Sequence, residues 1–411
     1  MTEIIEPSSA AEVAAALRRA SDARQSIVIR GAGTKSGWGR PAARIDAVLD
    51  MRRLNRILAH EHGDMTATIE AGATLREVNE ALARHGQMLP LDPPFADRAT
   101  IGGLLATNDS GPLRHRYGTP RDLVIGIQLA TTDGVLAKAG GQVVKNVAGY
   151  DLGKLVTGSF GSLAAIVSAT FKLSPLPAAS KTMTVAVADA AAAADVVRIM
   201  MASQLEPVAF ELVSQRSTQK PLNTQHNDPA GSPGSALYVV IRFASLPAVV
   251  DAQIAQATAA LKPCATEIQV LAGDAERALW DAHATAIWKE PGAIVRASWL
   301  PANIESVLSG LPRRSSPAAS ASGGGSPVLV GRAAIGAGHI RFDGDTDMQA
   351  VAIGQLRSSP IFGNVVIVRG SDELKGLVDV WGSHGDRQPI FDSLKRAFDP
   401  HGVLNAGRGP L

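Results

Sequence analysis

The sequence predicts an α+β protein of two domains, on three observations. Strand, glycine turn and helix recur from Ser26 to Gly86, the alternation of an α+β layer rather than of a helical bundle. From Ala99 to Pro175, glycines and small residues crowd between β-type runs. Beyond Pro177 the texture changes to alanine- and valine-rich stretches that again alternate strand and helix, and 411 residues exceed what one hydrophobic core usually serves.

The elements follow in order. Pro7-Ser8-Ser9 signals a helix start, with Ser8 or Ser9 as the cap and Val13, Ala16, Leu17 and Ala20 on one face. The run SIVIR (Ser26 to Arg30) reads as a strand that breaks abruptly into GAGTKSGWGR. TATIEAGATLREVNEALARHG then gives a strand, a turn at Gly72 and an amphipathic helix ending at Gly86. LPLDPPF (Leu89 to Phe95) is extended and stiff because each proline fixes its φ and restrains its predecessor. After Pro177, Thr182 to Ala202 reads strand then helix, Val208 to Ser214 and Ala236 to Ala244 read as strands, and Asp251 to Leu261 resumes a helix. Roughly 215–234 and 313–326 lack periodicity and read as mobile surface loops.

Composition excludes several classes. Forty basic residues against 38 acidic ones leave a formal charge of +2, which supplies no electrostatic case for nucleic acid or an anionic membrane. The one cysteine, Cys264, excludes an intrachain disulfide and a Cys-rich iron–sulfur or zinc site, and reads as a small buried apolar residue. The N-terminus has early acidic residues and a helical period instead of a basic start and apolar run, so no secretory signal is visible. No apolar run reaches the ~18 residues of a membrane span. A cytoplasmic protein is expected.

Two nucleotide motifs compete for GAGTKSG. Gly31, Gly33 and Gly37 are spaced G-x-G-x-x-x-G, not G-x-G-x-x-G, and Trp38, Gly39 and Pro41 oppose the helix that a Rossmann fingerprint would open. A Walker A loop fails because no Gly-Lys-Ser/Thr ends it. What remains is a strand followed by a compact turn of N–H groups from Gly31 to Ser36, suited to a diphosphate. A glycine-rich surface turn would look the same, and the position upstream of Ala99 to Gly103 favours phosphate. A long flat dinucleotide such as FAD fits the whole block, because its ring needs close approach to backbone.

ATIGG (Ala99 to Gly103), RYG followed by Arg121-Asp122, KNVAGYDL (Lys145 to Leu152), the run Gly158 to Pro177 and FDPHGVLNAGR (Phe398 to Arg408) together resemble the vanillyl-alcohol-oxidase or PCMH-type FAD-binding flavoproteins. Within them the chain is similar to the FAD-binding subunits of glycolate oxidase (glycolate dehydrogenase). The resemblance implies a PCMH-type FAD-binding domain of two α+β subdomains at 1–178, a smaller α+β cap at 179–386, and a segment at 387–411 returning to the FAD domain.

FAD binding is implied along several segments: Arg30, Gly31, Ala32, Gly33, Thr34, Lys35 and Ser36 in the turn; Pro90 and Pro93; Ala99, Thr100, Ile101, Gly102, Gly103 and Thr107; Gly111, Tyr117 and Gly118. Gly149, Tyr150, Gly161, Ser162, Ile166, Asn405 and Arg408 complete the set. Thr34 stands where several relatives carry a flavin-linked histidine, so the resemblance implies non-covalent FAD. Phe160 and Ala164 depart from an acidic residue and a glycine usual there, and Asp151 with Lys154 reads equally as a plain ion pair tying a loop.

The implied reaction removes two electrons from glycolate, D-lactate or another small 2-hydroxy acid, a base taking the hydroxyl proton. Electrons would pass to an iron–sulfur subunit and a quinone-type acceptor, so any membrane association is indirect. Trp280 and Trp288 are read as core residues, eight apart at helical spacing. Arg296 is a candidate for binding a substrate carboxylate. Catalytic relatives carry an HxGDGNxH-like metal motif in the cap; GRAAIGAGHIRF here has only His339, so no metal is expected. The isolated chain should therefore need a histidine-bearing flavoprotein subunit. A stand-alone D-lactate or 2-hydroxy acid dehydrogenase, or a non-catalytic flavin relay, are the alternatives.

Overall fold

The structure is a computed structural model, and it describes residues 2–141, 149–215, 236–288, 291–312 and 326–411. The chain divides into two compact units, Met1–Leu176 with Ser383–Leu411, and Pro177–Gly382.

In the first unit, the helix Ala10–Asp22 is capped by Ser9, whose Oγ accepts from the Glu12 N–H at 3.3 Å. It buries Val13, Ala16, Leu17 and Ala20. A parallel sheet in the order Glu3–Ile5, Ala47–Asp50, Ile27–Arg30 shares this core with Val403 and Leu404 from the returning C-terminal segment. Leu404 bridges in parallel to Ile27, so the distant segment completes the sheet beside the strand that launches the glycine turn.

A second, antiparallel sheet runs Ile57–Glu61, Thr66–Glu70, Ala165–Lys172, Val124–Ala130, Leu136–Gly140. The helix Leu75–Ala83 buries Leu75, Val78 and Leu82 in its core and starts in a capping box, with Thr74 and Glu77 satisfying each other's backbone N–H groups. Ala99 to Gly103 does not extend a β run: Thr100 is the N-cap of the short helix Ile101–Thr107. That helix sits on the turn after Glu70, with the Gly102 N–H donating to the Ala71 carbonyl at 2.8 Å. A Cβ on Gly102 would stand 2.8 Å from Ala71 Cβ, so the glycine is required for this seat.

The second unit is built on one antiparallel sheet in the order Glu267–Leu271, Ala179–Val187, Ala236–Ser245, Ala209–Gln215, Val328–Arg332, Ala337–Phe342, Ala293–Trp299, Phe362–Arg369. Helices Ala190–Ala202, Pro247–Leu261 and Gly273–Thr285 connect its strands. Trp280 lies in the last of these, but Trp288 falls beyond its end, so the two indoles do not share a helical face. Trp280 Nε1 donates to Thr182 Oγ1 at 2.9 Å. Cys264 is half-buried rather than enclosed. Apart from their edges, the two stretches expected as loops lie outside the described residues, as do Lys145 to Ala148.

Candidate cofactor site

The strand Ile27–Arg30 ends at the turn Gly31 to Ser36, closed by the Ser36 N–H donating to the Gly33 carbonyl at 3.1 Å. Gly33 has φ +77°, a conformation that favours glycine. Among the described residues the N–H groups of Ala32, Gly33 and Thr34 reach no backbone carbonyl, which leaves donors for an anion. A Cβ on Gly31 would fall 2.1 Å from Thr100 Oγ1, so only glycine lets this turn close against the Thr100 cap.

Lys35 lines the cleft and pairs with a buried acid. Its Nζ lies 3.1 Å from Asp109 Oδ2, with the two side chains only 7% and 3% exposed. The pair is not aligned for hydrogen bonding, and both atoms are buried without a hydrogen-bond partner. The ammonium is closed off from solvent beside that carboxylate, so it reaches a ligand oxygen in the cleft only by turning away from Asp109. At the mouth, Arg30 Nη2 holds Asp50 Oδ2 at 3.1 Å. Burial pushes the Arg408 guanidinium below its usual value, and the group donates to the Ser36 carbonyl and, at 3.3 Å, to that of Trp38.

These groups open onto a cleft. It is lined by Ile29 to Ser36, Met51, Ala71, Thr100, Gly102, Gly103, Ala106 and Thr107, and by Phe160, Gly161, Ala164, Ile166, Asn405 and Arg408. Thr107 Oγ1 donates to the Gly103 carbonyl at 2.8 Å. Asn405 is a clamp: its Oδ1 accepts from the Ile29 N–H at 3.2 Å and its Nδ2 donates to the Phe160 carbonyl at 2.6 Å. Its amide thus ties the strand Ile27–Arg30 to the Phe160 segment.

The other residues expected at the cofactor lie outside this lining. Ala99 and Ile101 are fully buried in the hydrophobic core, and Pro90 and Pro93 are buried off the cleft. Gly111 packs against the Asp92 carbonyl, where a Cβ would approach to 1.8 Å. Gly118, at φ +84°, packs on Asp122 at the C-terminal end of Arg114–Tyr117. Ser162 Oγ donates to the Ser159 carbonyl at 2.6 Å. Gly149 stands outside the lining, and Tyr150 is 92% exposed beside the ion pair of Asp151 and Lys154 at 2.6 Å. Sequence reasoning missed Met51, Ala71 and Ala106, whose only signal is small or flexible apolar character next to the motifs.

In the second unit, Arg296 and His339 are directly paired across neighbouring antiparallel strands and so share a sheet face. His339 is buried with its Nδ1 3.5 Å from Arg332 Nη1 and its ring 5.4 Å from that of Trp288. A polar cluster that the sequence did not signal lies close by in the same sheet: fully buried Glu211 meets His283 Nε2 at 3.2 Å and Arg332 Nε at 3.6 Å.

The cleft has the features a dinucleotide would use: a turn of N–H groups, cationic side chains in its lining and a glycine face at Gly103, where an added Cβ would meet only Thr100 Oγ1 at 3.2 Å. The family model for the FAD binding domain matches residues 2–140, and that for the C-terminal domain of FAD linked oxidases matches residues 176–308. The chain carries the FAD-binding and C-terminal domains of the FAD-linked oxidases, which are PCMH-type flavoproteins, and FAD is its cofactor.

Among curated relatives, it is 33% identical over 212 residues to the glycolate oxidase subunit GlcD of Bacillus subtilis, covering 52% of this chain and 45% of that protein. It is 38% identical over 155 residues to the glycolate oxidase subunit GlcE of Escherichia coli, covering 38% and 44%. Against the D-2-hydroxyglutarate dehydrogenase of Xanthomonas citri it is 33% identical over 291 residues, covering 71% and 60%. The chain thus spans about half the length of these three curated relatives. A solved alkyldihydroxyacetonephosphate synthase shares the fold, with TM-score 0.74 at 19% identity over 98% of this chain and 75% of that one. No helix among the described residues is long and apolar enough to cross a membrane.

Proposed function

We propose that this chain is the FAD-binding subunit of a glycolate oxidase-type dehydrogenase, active on glycolate or D-lactate only within an assembly that includes a second, histidine-bearing flavoprotein and an iron–sulfur subunit. One contrast supports the reading: the first unit holds a cleft lined by the glycine turn, Gly103 and Arg408, whereas the stretch Gly331 to Phe342 in the second unit has a single histidine already packed against Arg332 and Trp288. FAD, when bound, supplies a two-electron acceptor.

This chain's own residues bind and orient. The turn N–H groups and Lys35 neutralise the diphosphate, Arg408 adds a second cation, and Gly103 admits a flat ring to backbone distance. The cleft lining contains no histidine or cysteine among the described residues, so the cofactor is held without a covalent bond. Acid precipitation should leave the yellow cofactor in the supernatant as FAD; flavin sedimenting with the polypeptide would refute that arrangement.

The domain boundaries implied by the sequence place the cap at 179–386, and the contact division at Pro177–Gly382 supports that reading. Dye-coupled glycolate oxidation tests the whole proposal. The purified, FAD-loaded chain should turn over poorly alone and robustly once the partner subunits are added. A rate from the chain alone that matches the assembly and vanishes in His339→Ala would establish the stand-alone dehydrogenase instead.

A further inference from the structure

Three imidazoles converge away from the cofactor cleft. His60 is on the strand Ile57–Glu61, and His62 opens the turn that follows it, its carbonyl accepting from the Met65 N–H at 3.4 Å. His85 lies just past the helix Leu75–Ala83, its N–H closing the last turn onto the Leu82 carbonyl at 3.0 Å. The ring centroids are 4.2 Å apart for His60 and His62, 3.8 Å for His62 and His85, and 5.2 Å for His60 and His85. One nitrogen from each ring comes within 4.8 Å of the others.

Gln87 fixes which nitrogen His60 presents. The Gln87 Nε2 donates to the His62 carbonyl at 2.8 Å, and a carbonyl can only accept. The other end of that amide is therefore an oxygen, 2.8 Å from His60 Nε2, which must carry the hydrogen. In neutral His60 the Nδ1 lone pair is then left for a metal, and an outer partner holding a ligand's far nitrogen is the usual support of a histidine metal site. His62 and His85 are exposed and can rotate to bring donors to the ~3.3 Å separations that a tetrahedral ion with bonds of about 2.0–2.1 Å requires. The helix C-terminus at His85 adds carbonyl dipoles favourable to a cation.

We propose that His60, His62 and His85 form a site for a divalent transition-metal ion of the zinc class, with three imidazole ligands and a fourth position open to water. Imidazole donors select zinc, nickel or copper over magnesium and calcium. The site lies at the end of its helix opposite Thr74, which bridges to Thr100 of the cofactor cleft, so it is a separate centre from the flavin site.

The test uses the untagged, FAD-loaded chain stripped with a chelator and titrated with zinc chloride by calorimetry. One zinc per chain is expected, with affinity at least ~10-fold lower in His62→Ala and in His85→Ala, and ~10-fold lower in Gln87→Leu. Cobalt should give the intense visible bands of a tetrahedral site. Flavin absorbance and circular dichroism report folding, and His62→Gln replaces any alanine variant that loses flavin. No saturable zinc binding, zinc binding unchanged in both His62 and His85 variants, or magnesium binding as strongly as zinc would each overturn the assignment.

Discussion

Lys35 shows how much one side chain decides. Removing it alone strands a nearly enclosed Asp109 carboxylate, and losing one partner of a buried pair costs about 3–5 kcal/mol. Lys35→Met should therefore lower thermal stability and FAD retention together. The double variant Lys35→Met with Asp109→Leu removes the stranded charge, so stability should return while FAD retention does not. Recovery of both would show the lysine is structural only. Asp50 gives a pH signature: burial raises its carboxyl, but hydrogen bonds from the Arg52 side chain and N–H and from Arg30 outweigh this and hold it below the ordinary value. A carboxyl lowered in the folded state stabilises fully above its unfolded pKa of about 3.9 and loses that contribution as pH falls through the folded value. Unfolding midpoints measured from neutrality down to acid should fall less steeply in Asp50→Asn than in the parent.

At the scale of elements, the two glycines of the short helix separate packing from binding. Gly103→Ala adds a methyl that meets only a threonine hydroxyl, so it should reduce flavin content and leave the melting temperature within a few degrees. Gly102→Val collides with Ala71 and should lower both. Equal stability loss in the two would refute the distinction. Thr74→Ala breaks the capping box and should cost about 1 kcal/mol in denaturant unfolding without touching the cleft. The helices at Ala10 and Leu75 and the strand before the glycine turn were legible because an apolar period and a cap residue coincide there. The helix at Ile101 was not, since two glycines in five residues mask helical propensity and its stability comes from the Ala71 turn beneath it. Tyr150 and Gly111 are expected at the cofactor from motif identity; in this fold they stand outside the cleft lining, and Gly111 makes a close backbone contact with Asp92. The histidine trio could not be read at all, because its members meet only once strand and helix pack.

For the whole molecule, the first unit is made of two separated stretches of chain, and Asn405 and Arg408 bring the later stretch into the cleft. A chain stopped after Gly382 should lose flavin, while Pro177–Gly382 loses none of its own sheet. Retention of FAD at parental stoichiometry by the shortened chain would show that Arg30 to Ser36 and the Gly103 wall suffice.

The parallel bridge between Ile27 and Leu404 also sets a timetable. All of Pro177–Gly382 must be translated before the strand Ile27–Arg30 can acquire this neighbour, an interval of about 10–40 s at ordinary ribosome speeds of roughly 5–20 residues per second. During that wait the early stretch has exposed core residues such as Ile27 and Leu49 with one flank uncovered, a state that chaperones recognise. The later-encoded unit can finish folding first. Ribosome-stalled chains cut at Gly382 and extended by a linker that clears the exit tunnel should protect the second unit from protease yet take up no flavin, which makes cofactor loading a late event in the life of each molecule.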